Sequence, residues 1–213
     1  MNDNLENIDG FSQLETVGQD LEISSNDSLS NIDGLNNLTT VEQSIYIESN
    51  DALKNIDALS GLTITHQNLR ITANKALENI NGLNNITSVG GYLSLGTNVS
   101  LTDINGLSNI NSISEGLTIS GNDLITNIDA IGSITAINEN LRILSNKSLV
   151  TIDGLNNVTS IQGRLTVADN TLLKDLFPLQ AMIQDTLPPY KFAVSNNGYN
   201  PTQQDILDGN CSL

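Results

Sequence analysis

Apolar residues return along this chain at fixed places in a frame of 24 residues. From Leu5 to Leu172 seven copies follow one another without insertion, opening with LENIDG, LSNIDG, LKNIDA, LENING, LTDING, ITNIDA and LVTIDG. With columns counted from that opening residue, columns 1, 4, 7, 10, 13, 17 and 19 are apolar in 48 of 49 cases, Thr65 being the sole exception. A unit this short cannot bury its apolar residues alone, and stacked units merge them into one continuous core. Columns 17 and 19 alternate with polar neighbours, as in LEI, IYI, LRI and LTI, which is the pattern of a strand with one buried face. One strand per coil is therefore expected. The steps of three from column 1 to column 13 fit neither strict alternation nor a long helix, and predict short extended pieces with a single 3-10 turn at the corners. The fold class read from this frame is a repeat solenoid, a parallel β-solenoid whose seven coils make a rod of about 35 Å at about 4.8 Å per coil.

Two polar columns are as regular as the core. Column 22 is Asn in every copy, from Asn26 through Asn50, Asn74, Asn98, Asn122 and Asn146 to Asn170. A row of ligand contacts would look like this, but so would a ladder of buried amides satisfying the backbone at a bend, with Asn tolerating left-handed geometry there. The ladder is the expectation. Column 5 reads Asp9, Asp33, Asp57, Asn81, Asn105, Asp129 and Asp153. These carboxylates could bind calcium or cap the turn that follows; the Asn replacements favour capping. The column matches neither the EF-hand pattern nor the glycine-rich nonapeptide repeats that bind calcium, and no metal or cofactor is expected.

After Leu172 the frame loosens. Leu173, Leu176 and Leu179 stay in core register, Pro188 and Pro189 interrupt an imperfect eighth coil, and FAV restores the strand. Residues 5–172 are read as the repeats, 173–213 as the eighth coil with a cap, and 1–4 as a truncated or self-associating start that leaves the N-terminal end uncapped for end-to-end contact. Thr202 to Leu207 is expected to be the capping helix, with Asn200 or Thr202 as its cap residue and Gly209 as its stop.

Composition narrows the classes of function. Twenty-four Asp and Glu oppose 8 Lys and Arg, a formal charge of -16, which repels nucleic-acid phosphates and anionic lipid headgroups. No apolar run reaches the length of a membrane span, and the opening MNDNLENIDG has no signal-peptide pattern, so the chain reads as a fragment lacking its export signal. Cys211 is the only cysteine, and its expected partner, if any, lies outside the chain.

Catalysis needs unlike groups converging on one spot, whereas this sequence spreads like groups along columns. His66 is the only histidine and is expected at an exposed corner. A non-catalytic role is the reading. Column 11, with Thr39, Thr63, Thr87, Thr135 and Thr159 but Glu15 and Asn111 as breaks, raises ice binding, against the plainer expectation of corner hydroxyls bonding to the backbone. A passive stalk is a third possibility. The favoured class is recognition or adhesion through the exposed side of the L-x-I strands, where the copies stop agreeing. Column 18 there includes Tyr46, Arg70 and Arg142, column 20 includes Glu48, Thr72 and Leu144, and these six are the candidate ligand-binding residues for a protein or glycan. All three arginines lie in or beside this strand, Arg164 in column 16 together with Tyr92.

The run VGQDLEISSNDSLSNI resembles the leucine-rich repeat pattern with wider spacing around L-x-I. The polar or glycine turn before the strand, as in VGGYLSL and IQGRLTV, is similar to the receptor L-domain of growth-factor and insulin receptors and of related microbial surface proteins. That resemblance implies a right-handed solenoid, an extracellular or cell-surface location and a non-catalytic binding role. It implies no particular ligand.

Overall fold

The computed structural model describes residues 2–184 and 187–213. It is a parallel β-solenoid. Four-residue strands at columns 17 to 20 of the seven coils, from Leu21–Ser24 to Leu165–Ala168, stack with an eighth, Phe192–Ser195, into one all-parallel sheet in chain order. The register is unbroken, Leu21 opposite Ile45, then Leu69, Leu93, Leu117 and Leu141. A one-residue slip would turn Leu117 and Ile119 out to solvent, so the alternation itself holds this register.

Each coil contains a second strand that the column pattern did not reveal. Columns 12 and 13 form two-residue strands, such as Thr16–Val17 and Ser88–Val89, paired into short parallel ladders. Two residues are too few to show alternation, and only stacking on the neighbouring coil makes them strands. Column 13 is the inward residue of this piece. Thr65 occupies it at 2% exposure, with its hydroxyl enclosed and without a hydrogen-bond partner among the described residues.

Opposite the long sheet run the expected 3-10 turns, Asp33–Leu35, Asn81–Leu83 and their equivalents. Their first residues do not cap them. In each turn Asp or Asn of column 5 is the first helical residue, and no side chain bonds at the cap position. The residue two positions earlier does the work instead. Column 3 side chains (Asn7, Asn31, Asn55, Asn79, Asp103, Asn127 and Thr151) each accept a bond from the column 5 backbone N–H at 3.0–3.3 Å. An Asx-type turn places the acceptor before the bend, where the first free N–H points, and that position lies ahead of the Asp column. Gly82, in column 6, lies so close to the Ile56 carbonyl of the coil below that a Cβ would collide with it.

The asparagine ladder is internal and continuous. The Asn98 Oδ1 accepts from the N–H and Nδ2 of Asn74, while its own Nδ2 donates to the Ile71 carbonyl and to Asn122 Oδ1. Asn50 through Asn170 are fully buried. The left-handed residue of this bend is not the asparagine but the one before it, Ser25, Ser49, Ala73, Thr97, Gly121, Ser145 and Asp169, with φ between 55° and 64°. Asn is needed here for its paired donor and acceptor, not for its backbone tolerance.

At the C-terminal end the eighth coil is longer, so Asn197 follows Asn170 by 27 residues instead of 24. The Asn200 side chain then accepts from both the N–H and Nδ2 of Asn197, standing in for a further rung. Thr202 and Asp205 form a capping box on the helix Gln203–Leu207, and the Thr202 bonds hold the Asp205 carboxyl below the usual aspartate range. A second short helix, Gln180–Ile183, buries Met182 and Ile183 in the same cap. Cys211 is enclosed beneath it, donating to the Ile206 carbonyl at 3.5 Å, so a pairing outside the chain would require the cap to open. Burial, and the charge of Asp175, raise the thiol pKa above its ordinary value, which lowers the fraction present as the nucleophilic thiolate. At the other end, Asn26 Oδ1 accepts no bond among the described residues, and Leu5, Ile8, Phe11 and Leu14 rim an apolar hollow of about 230 Å³. Among the described residues no helix is long and apolar enough to cross a membrane.

Candidate functional site

Alternation along the long strands turns columns 18 and 20 outward, and coils stacked in register bring these residues into rows. Over the third to sixth coils the rows enclose an open groove of about 590 Å³. Arg70 and Arg142 stand at its two ends, in the same column three coils apart, about 14 Å along the stack at the spacing of paired strands. Between them the floor is Ser94, Thr118, Ser120 and Gly96, small residues that let the surface dip.

Of the six residues singled out from the sequence, Arg70, Thr72 and Arg142 line this groove, and Tyr46, Glu48 and Leu144 do not. Tyr46 lies opposite Arg70 in the sheet, and its hydroxyl accepts a bond from Asn68 Nδ2 at 3.3 Å. Glu48 reaches Arg70, with Oε1 and Nε 2.8 Å apart. The Glu48 oxygen is shielded from solvent and receives no aligned hydrogen bond among the described residues, so this contact is a charge pairing. Leu144 is half-buried beside Ser120. The six therefore divide into groove residues and neighbours that brace them. Arg142 has no carboxylate partner among the described residues, where the ion pairs are Arg70–Glu48, Lys75–Asp51 and Lys147–Asp123.

Sequence reasoning noted Tyr92 in column 16 beside the strand but missed that this column, with Gly116 and Asn140, forms the groove's upstream wall. This column carries a side-chain ladder of its own. The N–H of Ser44 donates to Asp20 Oδ1, that of Asn68 to Ser44 Oγ, that of Tyr92 to Asn68 Oδ1 and that of Arg164 to Asn140 Oδ1. Each rung needs an acceptor in the preceding coil. Tyr92 and Gly116 supply none, and the N–H groups of Gly116 and Asn140 have no hydrogen-bond partner among the described residues. The signal was present in the sequence as a run of Asp, Ser and Asn broken by Tyr and Gly. It had no meaning until the ladder was known.

The column 11 threonines sit just ahead of the two-residue strands and not on a bare corner. Thr39, Thr87 and Thr159 donate their hydroxyls to the carbonyls of Glu15, Thr63 and Thr135 in the preceding coils. His66 is exposed, and among the described residues no three His, Cys, Asp or Glu side chains gather as metal ligands. Comparison with known proteins finds no matching family model, no similar curated protein and no similar solved structure.

Proposed function

We propose that this chain is a non-catalytic recognition or adhesion module of a cell-surface or secreted protein, related to leucine-rich repeat and receptor L-domain solenoids, that binds a glycan or protein on the exposed face of its long sheet. The observation that carries this reading is the groove between Arg70 and Arg142, built from the positions where otherwise near-identical coils differ. Core columns and the asparagine ladder are committed to holding coils together, which leaves specificity to the outward columns. Side chains on rigid paired strands lose little freedom on binding, and Tyr and Arg are the residue types that most often carry interface energy.

The test is a binding screen with glycans and surface proteins, run beside an ice-recrystallisation assay. Replacing Tyr46, Arg70 and Arg142 together by Ser should weaken binding of an identified ligand at least tenfold, about 1.4 kcal/mol, while the melt falls only slightly, through loss of the Arg70–Glu48 pair and the Asn68–Tyr46 bond. Affinity that survives the triple change removes the sheet face from consideration. Recrystallisation inhibition lost on replacing Thr63 and Thr87 would assign the threonine face instead, and no ligand with no ice activity would leave a stalk.

A further inference from the structure

We propose that the groove binds the carboxylate of an acidic sugar, with the N–H groups of Gly116 and Asn140 and the guanidinium of Arg142 as its anion-holding donors. This inference rests on the sheet face being the binding face and adds the chemical class of the ligand.

The column 16 ladder satisfies one backbone N–H per coil with a side-chain oxygen, and it lapses at two successive coils inside the groove. Where a Gly116 side chain would begin, the carbonyl oxygen of Asn140 is 2.8 Å away and its amide nitrogen 3.3 Å, so Gly116 offers the Asn140 N–H no side-chain acceptor, and that N–H has no partner among the described residues. Both residues are half-exposed, which lets a ligand reach them. Two residues after Asn140, in the strand that follows it, Arg142 lines the same groove, exposed and without a carboxylate partner among the described residues. Three donors with no acceptor of their own thus line one groove. An anionic oxygen satisfies such a set best, because charge-assisted bonds are about twice as strong as neutral ones. Glu139, next to Asn140, places one carboxylate at this end of the groove, where Arg142 is the cation that offsets it, and the Arg70–Glu48 pair leaves the opposite end neutral. The net charge of -16 does not forbid an anion here, since exposed charges farther than about 8 Å are screened at physiological salt.

The rest of the lining decides between an acidic sugar and an acidic peptide. Thr72, Ser94, Thr118 and Ser120 offer hydroxyls, Tyr92 offers a ring, and the lining among the described residues contains no Leu, Ile, Val, Met or Phe to seat an apolar peptide side chain. An open, hydroxyl-rich trough with an aromatic wall matches a polyhydroxylated chain bearing a carboxylate, a uronate oligosaccharide.

The experiment is an amide NMR titration of the full chain with three probes: an oligogalacturonate, its neutral carboxyl-reduced counterpart, and a poly-glutamate peptide of similar charge. The oligogalacturonate is expected to shift the Gly116 and Asn140 amides, more weakly as salt rises, while the other two leave them in place. Arg142→Gln should weaken that binding about tenfold without moving the melt. Equal shifts from the neutral sugar would overturn the anion assignment while leaving the sheet-face reading intact. Equal shifts from poly-glutamate would overturn the sugar assignment. Silence of these amides with the oligogalacturonate, or undiminished affinity in Arg142→Gln, would overturn the proposal, and the triple variant above tests the face separately.

Discussion

Replacing one buried rung of the asparagine ladder should cost far more than replacing the first, although the residue is the same. At Asn98, Ala removes the acceptor of the Asn74 N–H and Nδ2 and the donor to the Ile71 carbonyl, at a site with no solvent exposure. A buried N–H left without a partner costs about 1–3 kcal/mol, and the lost bonds bring the total to about 2–5 kcal/mol. Asn26 is 9% exposed, accepts nothing among the described residues, and only donates to Ser24 O and Asn50 Oδ1. Its replacement leaves no backbone donor stranded, and about 1 kcal/mol or less is expected. Urea unfolding followed by circular dichroism measures both, provided the slope of the transition is compared as well as its midpoint, because long repeat arrays can lose cooperativity. A similar loss at the two sites, or an unmoved midpoint for Asn98→Ala, would refute the claim that the ladder's energy resides in its enclosed bonds.

Thr65→Val should raise stability by about 1–2 kcal/mol, because it removes an enclosed, unbonded hydroxyl from a column that is Val or Ile in every other coil; an unchanged or lowered unfolding midpoint would show that the hydroxyl has a partner. The Asp205 carboxyl should titrate below an ordinary aspartate in an NMR pH series, and Thr202→Ala should return it upward. Because its folded pKa is depressed, its contribution to the cap is present above the unfolded value and lost as pH falls through the folded one. Fraying of Gln203–Leu207 should therefore appear on acidification and be reduced in amplitude in Thr202→Ala.

The 24-residue period determined much of this protein by itself. Seven coils with seven apolar columns leave no other way to bury so many Leu and Ile, and a period-2 pair at columns 17 and 19 can face a core only as a strand. The invariance of column 22 likewise pointed to a buried amide row, since only a stacked neighbour explains one residue type recurring at one place. What the sequence could not carry was everything decided by the distance between coils. The strands of columns 12 and 13 exist only through pairing with the coil beside them, and the turn acceptors fell in column 3 because the free N–H points back along the chain, away from the more conspicuous Asp of column 5. The left-handed residue varies among Ser, Ala, Thr, Gly and Asp, so no residue type betrayed it. The groove is of the same kind. Arg70 and Arg142 are 72 residues apart in sequence and share a face because three turns of 24 bring them into one column. The open donors of Gly116 and Asn140 arise from what Tyr92 and Gly116 lack, an absence that acquires meaning only when the surrounding coils supply the bond in its place.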